Sequence, residues 1–237
     1  MVGLALWLVW SSALGQGPGR YSWKLEDNVA GCQLSTSQVA GKDYVAAKST
    51  CLFPANIEVV GAVLRDIERY PEWMEDCTQT TLLKVVDRSH EVYVFWYRQH
   101  IPVFTDRDMV LRSELTVNEE AHRVVEADVT TEVASDSGKG FIRMPSFHAQ
   151  WVLEKMDEGQ TRVTYLIDPE LGPGLPVDIA NATIARIPFE SLRHMMKMVR
   201  LQKYVDTAKA LSAAGPPKRL APANQEAKAV GSLPSNW

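Results

Sequence analysis

The chain has 237 residues, 46% hydrophobic and 23% charged, a balance that excludes wholesale disorder and a polytopic membrane protein. Its 25 basic residues stand against 29 acidic ones, a formal charge of −4, which argues against a nucleic-acid partner. Five histidines and three cysteines are too few and too scattered for a zinc module or a disulfide scaffold, so neither metal nor cofactor is expected.

At the amino end, Val2 to Trp10 form an apolar run too short for a bilayer, which takes about 20 residues. With Ala13-Leu14-Gly15 as a small-residue junction before Gln16, residues 1–15 read as a signal peptide and the protein as exported, periplasmic or secreted. A buried N-terminal strand or helix is the competing reading. Gly31 to Val39, the turn Ala40-Gly41-Lys42-Asp43 and Tyr44 to Leu52 predict a hairpin. A turn centred between Gly41 and Lys42 sets Cys32 directly opposite Cys51, close enough for a disulfide; two buried thiols are the alternative. Cys77 is expected to be a lone buried thiol.

Pro54-Ala55-Asn56 opens a helix with Val59, Val60, Val63, Leu64 and Ile67 at helical spacing, stopping near Tyr70-Pro71. Strands are expected at Thr80 to Val86, Glu91 to Ile101, Asp108 to Val117, Arg123 to Glu132, Gly140 to Lys155 and Arg162 to Asp168, with a turn at Asn118 to His122. Short turns make the sheet antiparallel. After a Gly/Pro loop, one long helix is expected from Val177 to about Leu211, bent at Pro188. Its apolar stripe includes Ala180, Ile184, Ile187, Leu192, Met195, Met196 and Val199, a face that must lie on the sheet. Residues 212–237, rich in Ala, Pro and polar groups, read as a disordered tail. Residues 20–210 are left as a single α+β domain.

Four stretches resemble the START domain, the lipid-transfer branch of the helix-grip superfamily, here of a bacterial exported type. They are Leu52-Phe53-Pro54-Ala55 with Leu64-Arg65-Asp66-Ile67 and Tyr70-Pro71-Glu72-Trp73; Thr105-Asp106-Arg107-Asp108-Met109-Val110; Gly140-Phe141-Ile142-Arg143; and Gly172-Pro173-Gly174-Leu175-Pro176 with Asn181. The resemblance implies a curved antiparallel sheet wrapped around a long C-terminal helix, with a hydrophobic cavity between them. Where some members bury an arginine against an acid, this chain has Ser113.

Alternation from Asp108 to Val117 puts Met109, Leu111, Ser113, Leu115 and Val117 on one face and Arg112 and Glu114 on the other, so the first set is inward. Both faces of Glu91 to Ile101 are apolar. There the ligand-facing parity of related carriers implies Val94, Trp96, Arg98 and His100. The strand from Gly140 would similarly present Phe147, Ala149 and Trp151. With Ile184, Ile187 and Met195 from the closing helix, these are the expected ligand-binding residues. Arg98 either binds a lipid headgroup or pairs with an acid, and Trp96 either packs on the lipid or is plain core. Arg107 and Asp108 are expected to form a structural salt bridge between strand and loop.

No His-Glu-x-x-His or Gly-x-Ser-x-Gly occurs. The expected function is therefore non-enzymatic binding and transfer of a phospholipid, fatty acid or sterol-like lipid by a monomer touching membranes transiently, with Gly172, Gly174 and Pro188 as hinge positions. The alternative is a cyclase- or hydratase-type enzyme of the same superfamily, for which His100 and His148 are the only acid–base candidates.

Overall fold

A computed structural model describes residues 20–88, 90–117, 122–133, 140–157 and 159–213. The expected signal peptide, most of the turn after Val117 and residues 214–237 of the expected tail lie outside these. Ten strands form one sheet in the order β1-β2-β3-β10-β9-β7-β6-β5-β4, with β8 paired to β6. The strands are β1 (Lys24–Val29), β2 (Cys32–Gln38), β3 (Val45–Phe53), β4 (Cys77–Asp87), β5 (Val92–Gln99), β6 (Arg107–Val117), β7 (His122–Val129), β8 (Ile142–Arg143), β9 (Ser146–Asp157) and β10 (Gln160–Glu170). All pairings are antiparallel except the two-residue β6–β8 contact, which is parallel. The segment expected as one strand from Gly140 is thus two pieces, because Ile142 and Arg143 pair with β6 before the chain turns into β9. Strand β1 was not anticipated: Lys-Leu-Glu-Asp-Asn-Val is exposed throughout and carries no buried face to read.

The β2–β3 hairpin has the expected register, Cys32 opposite Cys51, and a disulfide joins the two. Cys77 is buried and free. Helix α1 (Ile57–Arg65) buries Val59, Val60, Val63 and Leu64, and a 3-10 turn (Ile67–Glu72) containing Pro71 carries the chain on to Trp73. The Asn56 side-chain oxygen accepts from Gly159 N–H at 2.8 Å, fastening the start of α1 to the β9–β10 turn.

The C-terminal helix is two helices, not one. Helix α2 runs Val177–Met198 through Pro188, and α3 runs Gln202–Ala213, two residues into the expected tail. Arg200 and Leu201 donate to carbonyls three residues back, which tightens and ends α2. The new direction lets Tyr204 and Ala208 bury against α1, with Lys203 Nζ and Tyr204 Oη both 3.1 Å from Asp66 Oδ2. Helix α2 packs mainly on β3 and also touches β2 and β10. Small side chains on the inner face of β3, Ala47 and Ser49, let it sit close.

Candidate functional site

The inner face of the other half of the sheet bears large side chains and encloses a hollow. Its walls are Phe95, Tyr97 and Gln99 of β5, Met109, Leu111 and Ser113 of β6, Val125 and Ala127 of β7, Phe147, Ala149 and Trp151 of β9, and Tyr165 of β10. Tyr70, Met74 and Ile187 form the roof. The hollow holds about 510 Å³ free of atoms, part of it continuous with solvent. A second space of about 420 Å³ adjoins it at Tyr70, Ser113 and Val125 and runs under α1 to Leu64, Arg65, Tyr93 and Arg123.

No side chain lining the main hollow is ionised at neutral pH. Trp151 and Tyr165 stack at 3.7 Å, and Trp73 packs edge-on against Trp151 behind the wall. Burial pushes the Tyr70, Tyr97 and Tyr165 hydroxyls far above the ordinary phenol range, so all three remain neutral. Burial likewise raises the Cys77 thiol to about 12, although Tyr97 is hydrogen-bonded to it. Gln99 is 4% exposed, and its Nε2 has no hydrogen-bond partner among the described residues. An unmet buried donor of this kind costs about 1–3 kcal/mol.

The expected site residues divide. Met109, Leu111, Ser113, Phe147, Trp151 and Ile187 line the hollow. Leu115 lines the adjoining space, while Val117 is 57% exposed beyond the end of the core. Ile184 and Met195 are fully buried where α2 lies on the sheet and do not border the hollow.

The parity expected for β5 is corrected: Val94, Trp96, Arg98 and His100 do not line the hollow, whereas Phe95, Tyr97 and Gln99 do and Tyr93 lines the adjoining space. The register explains this, because Phe95 lies opposite Leu111 and Tyr97 opposite Met109, and opposed residues share a face. Val94 is fully buried on the outer face. Trp96 donates its indole N–H to Asp108 Oδ2 at 2.9 Å and packs edge-on to Phe141. Arg98 pairs with an acid, donating to Asp106 Oδ2 at 2.6 and 2.9 Å, and covers the Phe141 ring. His100 Nδ1 is 2.8 Å from Asp106 Oδ1 on a half-exposed side chain, and His148 Nδ1 is 2.8 Å from Asp128 Oδ1.

Arg107 and Asp108 are structural but do not pair with each other. Adjacent on β6, they point to opposite faces. Asp108, fully buried, takes a two-pronged bond from Arg143 at 2.8 and 3.0 Å, which fixes β8 to β6. Burial works to raise the Asp108 carboxyl, but the Arg143 and Trp96 bonds outweigh it and hold the group below the usual range. Arg107, also fully buried, donates to the carbonyls of Leu171 at 2.9 Å, Pro173 at 2.8 Å and Thr105. One guanidinium thus clamps the 101–106 loop to the loop that launches α2. Gly172 in that loop has φ +74°, a conformation that favours glycine, and a Cβ there would press on Ile142 Cγ2 at 3.2 Å.

A curved antiparallel sheet, a closing helix and a hollow beside it define an α+β domain of the helix-grip class. The chain belongs to the START domain family, whose match spans residues 9–204. An uncharacterised protein of Pseudomonas aeruginosa is 28% identical over 176 residues, covering 72% of this chain and 83% of that protein. Among solved structures, a STAR-related lipid transfer protein of Xanthomonas axonopodis has a TM-score of 0.68 at 24% identity, covering 76% of this chain and 99% of that one. Human STARD10 also scores 0.68, at 16% identity, covering 82% and 79%. Human StAR-related lipid transfer protein 5 scores 0.66 at 15% identity, covering 75% and 86%. At these identities the structural likeness establishes the fold.

Proposed function

We propose that this protein is a non-enzymatic carrier that holds one lipid in its hollow and passes it to or from a membrane as a monomer. The observation that carries this reading is the wall itself: aromatic and aliphatic side chains without an ionised group, in a domain of the START family. Such a surface gains about 25 cal/mol for each Å² of apolar area removed from water when a lipid fills it. Turnover finds no support there. His100 and His148 are engaged by carboxylates away from the hollow, and its tyrosines stay neutral.

Release requires an opening, and the loops held by Arg107 are where we place it. Val103 is 98% exposed with φ +61°, a conformation unfavourable for a β-branched residue, and it forms an apolar tip suited to a membrane surface. Gly172 and Gly174 supply the backbone freedom for the loop before α2 to move once the Arg107 bonds part. Export also belongs to this proposal. The Cys32–Cys51 disulfide supports it, since such bonds persist in oxidising compartments.

The test is to purify the protein from cells, extract it with organic solvent and identify the lipid by mass spectrometry. One lipid per chain is expected. A protein that carries none and takes none from vesicles would overturn the reading.

A further inference from the structure

We infer that the buried end of the ligand carries an uncharged oxygen, a hydroxyl or a carbonyl, and that the Gln99 side-chain amide binds it. The inference rests on the carrier reading and sharpens it. Gln99 closes the inward row of β5, after Tyr93, Phe95 and Tyr97, and it lines the hollow with a donor that no described residue satisfies. A primary amide placed in an apolar wall gives up its bonds to water, and folded proteins keep such groups where something replaces those bonds. A leucine or methionine would fill the same volume without that loss.

The surroundings decide the chemistry of the partner. Tyr97, the next inward residue, is already engaged with Cys77. Met109, Phe147 and Ile187 offer no polar atom able to hold a charge. Arg107 stands opposite Gln99 in the β5–β6 register, but its guanidinium is turned to the carbonyls of Thr105, Leu171 and Pro173 and does not border the hollow. A carboxylate, phosphate or ammonium brought here would therefore lose its water without meeting a counter-charge in the lining. A hydroxyl or carbonyl oxygen needs only one N–H, and Gln99 Nε2 supplies it.

The opposite end of the interior differs in kind. There Arg65 meets Glu91 at 2.5 Å and Arg123 meets Glu58 at 3.2 Å beside Tyr93. From Tyr93 to Gln99 the strand advances about 20 Å at ~3.3 Å per residue. Ion pairs border the interior at the Tyr93 end, whereas at the Gln99 end the lining offers a neutral amide donor and the neighbouring Arg107 faces backbone carbonyls.

The experiment compares three probes of equal chain length: 1-hexadecanol, methyl palmitate and hexadecane. Each displaces a fluorescent fatty probe from the wild type and from Gln99→Met, whose side chain keeps the volume and removes the amide. The alcohol-to-alkane and ester-to-alkane affinity ratios are expected to fall about five-fold or more in the variant, in line with one lost hydrogen bond. Ratios unchanged by the substitution would overturn the assignment. If Gln99→Met does not fold, ¹⁵N NMR of the wild type decides. The side-chain NH₂ resonances are expected to shift with hexadecanol and not with hexadecane, and equal responses would overturn the assignment. Failure of all three probes to bind the wild type would instead count against the carrier reading itself.

Discussion

The two halves of the sheet face the same interior but meet it differently. Over β2, β3 and β10 the inner face is floored by Ala47 and Ser49, and α2 settles on it with Ala180, Ile184 and Met195 fully buried. Over β5, β6, β7 and β9 the floor is Phe95, Tyr97, Met109, Phe147 and Trp151, and the cover is only the turn bearing Tyr70 and Met74 with Ile187 at its margin. Small floor residues draw a helix down to close packing; large ones under a short cover leave space. One half therefore stores stability and the other is free to hold a guest. Four perturbations separate the two roles.

The largest effect is expected in the packed half. Ile184→Ala removes a fully buried side chain under a helix with little room to collapse, and it is expected to cost about 2–5 kcal/mol in chemical denaturation. Replacing Cys32 and Cys51 together by alanine, in the same half, is expected to cost about 3 kcal/mol by the same measurement. Thiol titration of the unreduced, denatured wild type is expected to find Cys77 alone.

A smaller effect is expected from acid. Arg98 and His100 hold Asp106 low against its burial, as Arg143 and Trp96 hold Asp108. A carboxyl depressed in the folded state stabilises above its unfolded value of about 4, and that contribution fades as pH falls through the lower folded value. The melting temperature is therefore expected to fall below about pH 4, with a shallower fall in Asp108→Asn. Identical pH profiles would detach this carboxylate from stability. The smallest change in stability is expected in the hollow half, from Leu111→Trp.

The same contrast governs what could be read from residues alone. The hairpin register and its cysteine pair were legible because a four-residue turn leaves little choice of pairing. The inward row of β6 was legible because Arg112 and Glu114 mark the outer face. On β5 that contrast is missing: Val94 and Trp96 are apolar yet lie outward, covered in part by Phe141 and the Asp108–Arg143 pair. The pairing of Phe95 with Leu111 resolves the face, and it needs the β5–β6 register as well as the strand itself. Gln99 carried no pattern signal, since a single amide at a strand end is ordinary until its surroundings are seen. Neither β8 nor the break after Met198 has a local marker. The first exists through two bonds to β6, and the second through the docking of Tyr204 on α1.

The central claim is that the β5–β6–β9 half is hollow in order to hold a lipid. Native mass spectrometry of the wild type and of Leu111→Trp, read beside their melting temperatures, tests it most directly. The account predicts one lipid on the wild type, none on the variant, and a melting temperature within a few degrees of the wild type, because the indole enters space already present. A wild type without lipid, together with a variant destabilised by the ~1–3 kcal/mol typical of an overpacked core, would contradict it.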